Sequence, residues 1–281
     1  MRVRLCAPST PLSRDDAARV MALAGDYPGV TLDFHPQCFA VDGHFAGSDH
    51  ARLAAFLDCA NDPRCDAVWF ARGGYGAVRI AEAALAGLAP AAQDKLFLGY
   101  SDAGTMLGAL YRASVGHPVH APMPADIRRA GGEAAVRRVL GWLSGDRSGE
   151  EPGLDARPVV AFNLMTLAML VGTPLMPDLG GHVVLIEEVA EYLYAVDRLL
   201  FHVTAALAPM GIAGIRLGRV SDVPENDRPF GMEPEAMVRG WCDRRGIAFL
   251  GAAEIGHDIA NRIVPFGPKF PITLAQRGQG Q

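Results

Sequence analysis

Apolar residues follow two different spacings in the first half of the chain. Short runs of strand length, "RVRLCAP", "VTLDFHP", "CDAVWFAR" and "KLFLGYS", alternate with stretches of helical period. "SRDDAARVMALAG" predicts a helix capped by Ser13, with acidic residues in the first turn where the helix dipole favours them. "SDHARLAAFLDCAND" places Leu53, Phe56 and Leu57 at helical spacing behind Ser48 as cap. "AVRIAEAALAG" and "AGTMLGALYRA" predict two further helices. Strands and helices in this alternation predict parallel βαβ units, an α/β fold with a Rossmann-like sheet covered on both faces.

The pattern breaks at residues 145 to 158, "GDRSGEEPGLDARP", which is polar and rich in glycine and proline, as a linker is. A boundary near residue 150 divides the chain into an α/β domain, 1–150, and a second domain, 151–281. The second half carries shorter, more strand-like pieces, among them "GHVVLIEEV", "GIRLGRV" and "IAFLGAAEIG", around one long helix in "AEYLYAVDRLLFHVTAALAPMG". It reads as a smaller, β-rich unit.

Composition narrows the function classes. The 281 residues suffice for a substantial core, and half of them are hydrophobic. A net charge of −5 gives no electrostatic reason to expect nucleic acid or an anionic membrane as partner. The N-terminal "MRVRLCAPST" lacks the apolar core of a secretory signal, and "LMTLAMLVGTPLMP" is interrupted by Gly172 and Pro174 well short of a membrane span. Five cysteines, Cys6, Cys38, Cys59, Cys65 and Cys242, form an odd set without a CxxC pair. That pattern argues against a disulfide framework or a zinc site and fits a reducing, cytoplasmic compartment.

Four segments carry candidate chemistry. In "KLFLGYSDAGTMLGAL", Ser101 stands between a strand and a helix, where ligands of open α/β sheets bind. It reads either as a helix cap or as a nucleophile with the amide of Asp102 beside it as oxyanion donor. The glycines of "ARGGYGAVRI", Gly73, Gly74 and Gly76, let backbone amides approach an anion. They suit a tight turn, a second oxyanion donor, or a nucleotide-phosphate loop, although the spacing is not G-x-G-x-x-G. Glu187 and Glu188 end a strand in "HVVLIEEV", where a buried carboxylate could orient a histidine. His257, in "LGAAEIGHD", follows another strand and is a general-base candidate. The order Ser…Glu…His is one that hydrolases use.

Together, "RGGYGAVRI", "GYSD", "LIEEVAEYLYAVDRLL" and "GH" at these separations resemble the LD-carboxypeptidases of the serine peptidase type. That family includes murein tetrapeptide carboxypeptidases and microcin C7 self-immunity proteins. The resemblance covers nearly the whole chain. It implies Ser101 as nucleophile, Glu187 rather than Glu188 as the carboxylate partner, and His257 as base. Gly74 and Asp102 are the implied oxyanion amides, and Gly73, Tyr75 and His120 the implied substrate contacts. The family fold implies an active site between an N-terminal α/β domain and a smaller C-terminal β-rich domain, in a homodimer. The implied substrate is a small peptide ending in a D-amino acid, cleaved as in murein recycling. The alternatives are a peptidyl-nucleotide amide of the microcin type, or ligand binding without catalysis. Three positions depart from the family pattern: Gly104 replaces a threonine, Ala121 a glycine in His-Gly-Pro, and Ala161-Phe162 the two glycines of Gly-Gly-Asn.

Overall fold

The computed structural model describes residues 1–268. Ten strands and eight α-helices form two sheets with their covering helices. The first sheet contains β1 (Arg2–Cys6), β2 (Thr31–Phe34), β3 (Ala67–Phe70), β4 (Leu96–Gly99), β5 (His117–His120) and β10 (Val264–Pro265). Its spatial order is β10-β5-β4-β3-β1-β2, parallel throughout except for β10. Every residue of β3 and β4 is buried, as a parallel sheet covered on both faces requires.

The helices α1 (Arg14–Ala24) and α5 (Glu133–Leu143) cover one face, packing Val20, Val139 and Leu140 with Trp69 and Leu98. The other face is covered by α2 (Asp49–Ala60), α3 (Ala81–Ala86) and α4 (Gly104–Ala113), with Phe56 and Leu107 against Phe70 and Phe97. Strand β1 has β2 on one side and β3 on the other. The loops after β1 and β3 therefore diverge at the carboxyl edge and open a crevice there, the usual ligand position in such sheets.

The second sheet, β6 (Val159–Asn163), β7 (Val183–Val189), β8 (Gly214–Ser221) and β9 (Phe249–Ala252), is parallel in sequential order. The second half holds three helices where the apolar pattern indicated one: α6 (Leu164–Leu170), α7 (Leu193–Leu207) and α8 (Pro234–Arg245). Two signals were too local to separate by periodicity. Asn163 accepts a hydrogen bond from Thr166 N at 3.1 Å and turns one continuous apolar run from strand into helix. The polar helix α8 is delimited by Pro234 in its first turn and by Gly246 in the left-handed conformation.

Helix α6 packs against α4, so the core on that face runs without a break into the second sheet. The chain also returns: β10 pairs antiparallel with β5, Val264 opposite His120. The loop between β9 and β10 is thus strung from one sheet to the other. Among the described residues no helix is long and apolar enough to cross a membrane.

Candidate active site

Strand β4 ends at Gly99, where a β-carbon would lie 2.9 Å from Phe70 Cδ2 and 3.1 Å from Ala103 Cβ. Tyr100 remains extended, and Ser101 then takes φ +58°, in the left-handed region that a residue with a β-carbon seldom occupies. Holding it there costs on the order of 1–3 kcal/mol, which the surrounding contacts must offset. Ser101 Oγ makes no hydrogen bond to any described residue, so it caps no helix. The backbone of Ser101 is nevertheless tied across the molecule, its carbonyl accepting from Thr166 Oγ1 of α6 at 3.2 Å.

Glu187 lies in β7 at a bulge. Ile186 pairs with Leu217 and Glu188 with Val220, so Glu187 faces two residues of β8, Gly218 and Arg219. A β-carbon on Gly218 would sit 2.6 Å from Ile255 and 3.0 Å from Glu187 Cβ. Glycine there admits the loop that carries His257. The imidazole Nδ1 of His257 meets Glu187 Oε2 at 2.7 Å, the carboxylate 1% and the histidine 8% exposed.

The neighbouring Glu188 points to the opposite face, as alternation along a strand demands. It accepts from Asn163 Nδ2 at 2.6 Å, Met165 N at 2.8 Å and Val189 N at 2.9 Å, holding the start of α6. Burial raises its pKa against these three bonds.

Around His257, Arg219 N donates to Ile255 O at 2.9 Å and the Arg219 guanidinium grips Asp258 through two nitrogens. The Tyr100 ring lies 4.8 Å from the His257 ring. His257 thus lies against the residue that precedes Ser101, and no hydrogen bond joins its ring to the serine. Such contacts commonly tighten only when substrate is bound.

The glycine-rich loop closes the other side. A β-carbon on Gly73 would be 3.0 Å from Ser101 Cβ and 3.1 Å from its Oγ. Gly74, at φ +105°, abuts Thr10, whose Oγ1 donates to Gly73 O at 2.5 Å. The Asp102 carboxylate accepts from Ser9 Oγ at 2.5 Å and from Ala77 N at 2.9 Å. Burial raises its pKa, and those two bonds pull the other way. Arg52, fully buried, donates to Pro8 O, to Gly76 O at 2.8 Å and to Asp49.

Tyr75 is 50% exposed beside His44 and Phe45, with ring centroids 6.3 and 6.1 Å away. His120 is 1% exposed and stands behind Tyr100 rather than on the cleft surface. Its Nε2 bonds to Asn261 Oδ1 at 3.0 Å, an oxygen that also accepts Gly256 N–H at 3.1 Å. The shared acceptor puts the His120 proton on Nε2. Burial pushes its pKa down to about 4, so the ring is neutral.

Reading the sequence missed Ser9, Thr10, Arg52 and Asn261. The available signal for the first two was position alone: "PST" directly follows the first strand, at an edge where loops diverge. Among the described residues no group of three acidic, histidine or cysteine side chains converges to hold a metal ion.

Residues 3–121 match the family model described as the LD-carboxypeptidase N-terminal domain, and residues 158–272 the model of the LD-carboxypeptidase C-terminal domain. A murein tetrapeptide carboxypeptidase of Pseudomonas aeruginosa is 23% identical over 288 residues, spanning 95% of this chain and 91% of the relative. The crystal structure of a muramoyltetrapeptide carboxypeptidase from Oxalobacter formigenes superposes with a TM-score of 0.78 at 23% identity, covering 95% of this chain and 93% of that one. The microcin C7 self-immunity protein in complex with aspartyl sulfamoyl adenosine shares the fold at a TM-score of 0.76 and 16% identity, covering 95% and 91%.

Proposed function

Since the chain belongs to the LD-carboxypeptidase family, we propose that it is a serine hydrolase releasing a C-terminal D-amino acid from a small murein-type peptide. The observation that supports this reading is the buried 2.7 Å contact between Glu187 and His257 Nδ1, which leaves the other ring nitrogen, Nε2, unused by that bond, next to the Tyr100 that precedes a serine held at φ +58°. His257 takes the Ser101 proton on Nε2 as Oγ attacks the amide carbonyl. The amides of Gly74 and Asp102 hold the oxyanion, each contributing about 3 kcal/mol. As the C–N bond breaks, His257 gives its proton to the leaving amine. A water then attacks the acyl-enzyme with His257 again as base, and Ser101 recovers its proton. Glu187 keeps the imidazole oriented and balances its positive charge. His120 serves this scheme by setting the His257 loop through Asn261, without touching substrate.

Incubation with a murein tetrapeptide, followed by mass spectrometry of D-alanine, tests the reading. Wild-type protein should release D-alanine and Ser101→Ala should not, and a fluorophosphonate should label the first alone. Equal release by both would sink it. One observation favours a second substrate class, a peptidyl-nucleotide amide cleaved by the same chemistry. Tyr75, 50% exposed in the glycine-rich loop beside His44 and Phe45, offers an open aromatic ring suited to stacking on a base. Parallel assays on the two substrates separate the classes. The proposal includes a cytoplasmic homodimer, checked by fractionation and light scattering.

A further inference from the structure

We propose that Ser9 and Thr10, in the loop after β1, are positioning residues that preset both oxyanion-holding amides. The inference rests on the serine-hydrolase reading above and deepens it.

A Gly-Gly peptide can flip at little steric cost, because neither residue has a β-carbon to restrict it. The Gly73–Gly74 peptide therefore needs an external lock if its N–H is to stay aimed. Thr10 supplies one. Its Oγ1–H donates to Gly73 O at 2.5 Å, in a position where Thr10 is only 5% exposed. The peptide is planar and trans, so the Gly73 carbonyl and the Gly74 N–H point in opposite directions. Anchoring the carbonyl on Thr10 turns the Gly74 N–H away from Thr10. On its other side the loop abuts the nucleophile, with the Gly73 β-position 3.1 Å from Ser101 Oγ. A flip would strip the carbonyl of its buried donor.

Ser9, fully buried, acts on the second amide. Its Oγ–H donates at 2.5 Å to the Asp102 carboxylate, which also takes Ala77 N–H at 2.9 Å. The residue that follows Ser101 is thereby fastened to the far end of the glycine-rich loop. Arg52 adds a third tie between the same two segments, bridging Pro8 O and Gly76 O. Residues 8 to 10 thus strap the glycine-rich loop at Gly73, Gly76 and Ala77, with the Ser101–Asp102 turn held between. The three ties converge on the crevice where β1 and β3 diverge. Neither hydroxyl is open to substrate, so their effect passes through the amides.

Thr10→Val removes the donor at nearly constant shape, and Thr10→Ser keeps it. Thr10→Val should lower kcat about 100-fold with KM little changed, the scale of one lost oxyanion donor. Thr10→Ser should recover most of that loss. A tetrahedral boronate should bind Thr10→Val more weakly by the factor lost in kcat/KM, while a non-hydrolysable peptide binds both proteins alike. Wild-type kcat in Thr10→Val, equal impairment in Thr10→Ser, or parallel loss of boronate and peptide binding would overturn the inference.

Should Thr10→Val not fold, Ser9→Ala is read by the same boronate-to-peptide comparison, with the same outcomes deciding. The rate of fluorophosphonate labelling separates the two readings. If wild-type Ser101 is not labelled, the hydrolase reading fails. If wild type and Thr10→Val are labelled equally fast, the strap alone fails.

Discussion

Glu187 and Glu188 are chemically identical neighbours with different partners. Glu187 meets His257, whereas Glu188 satisfies Asn163 and two backbone amides at the start of α6. Glu187→Gln should lower kcat by about three to four orders of magnitude, as loss of an orienting carboxylate does elsewhere, with melting little changed. Glu188→Gln should reverse that pattern, with a lower melting temperature and kcat within a few-fold; steady-state kinetics and thermal melts on both variants decide. Strand alternation makes any two successive residues diverge, so periodicity alone could not say which glutamate faces the histidine, and the expectation of Glu187 came from the family resemblance. The bulge opposite Glu187, made possible by Gly218, was equally invisible.

His120 is buried as the neutral imidazole. Its folded pKa of about 4 lies below the ordinary 6.5, so its contribution to stability is complete above pH 6.5. Below that, the unfolded chain takes up a proton that the folded chain refuses, and stability falls until pH passes 4. Between pH 7.5 and 5 the loss should be about 2 kcal/mol. Urea titrations of wild type and His120→Gln should show the slope in the first and its loss in the second.

At the level of elements, the alternation of strand and helix was legible because parallel strands buried on both faces leave continuous apolar runs. What periodicity could not show was how α4 and β6 fit together. Phe162 fills space that α4 leaves open by presenting glycine at two positions one turn apart. A β-carbon at Gly108 would lie 3.3 Å from the Phe162 ring and 2.7 Å from Leu170 Cδ1. At Gly104 it would lie 3.5 Å from the ring and 3.4 Å from Thr166 Cγ2, an ordinary contact. Two departures from the family pattern, Gly104 and Phe162, are therefore a single packing arrangement directly behind Ser101. Gly104→Ala should be neutral or slightly stabilising, since alanine favours helix by up to about 1 kcal/mol. Gly104→Thr adds branches that must displace the ring and should cost about 1–3 kcal/mol. Phe162→Ala should cost about 3–5 kcal/mol alone. The double variant Gly104→Thr, Phe162→Ala should lose less than the sum of the two, read by urea unfolding. Strict additivity would show that the positions do not exchange volume.

Over the whole molecule, the site depends on how the two sheets are joined. The serine hangs from β4, the glutamate from β7 and the histidine from a loop that leaves β9 and returns to the first sheet as β10. The polar segment at 145–158 reads as a linker, rich in glycine and proline, and most of it is exposed. Yet Glu151 within it is 2% exposed. Its backbone N–H donates to Ile263 O at 3.0 Å, one carboxylate oxygen meets Arg216 of β8 at 2.8 Å, and the other accepts Glu254 N–H at 2.7 Å. One residue thus fastens the connection to the second sheet and to both ends of the segment bearing His257. An ion pair whose partner is distant in sequence leaves no local pattern, so composition alone could not show that Glu151 ties this segment down. Removing one member of such a pair strands the other charge, whereas replacing both with apolar groups of similar size often costs little. Glu151→Met should therefore lose about 3–5 kcal/mol of unfolding free energy, and the double variant Glu151→Met, Arg216→Met should recover much of it. The double variant still lacks the acceptor for Glu254 N–H, so limited proteolysis within 253–262 should remain faster than in wild type even where stability returns. If stability and protease resistance recover together, the ion pair alone holds the junction, and the His257 segment does not depend on the bond from Glu254.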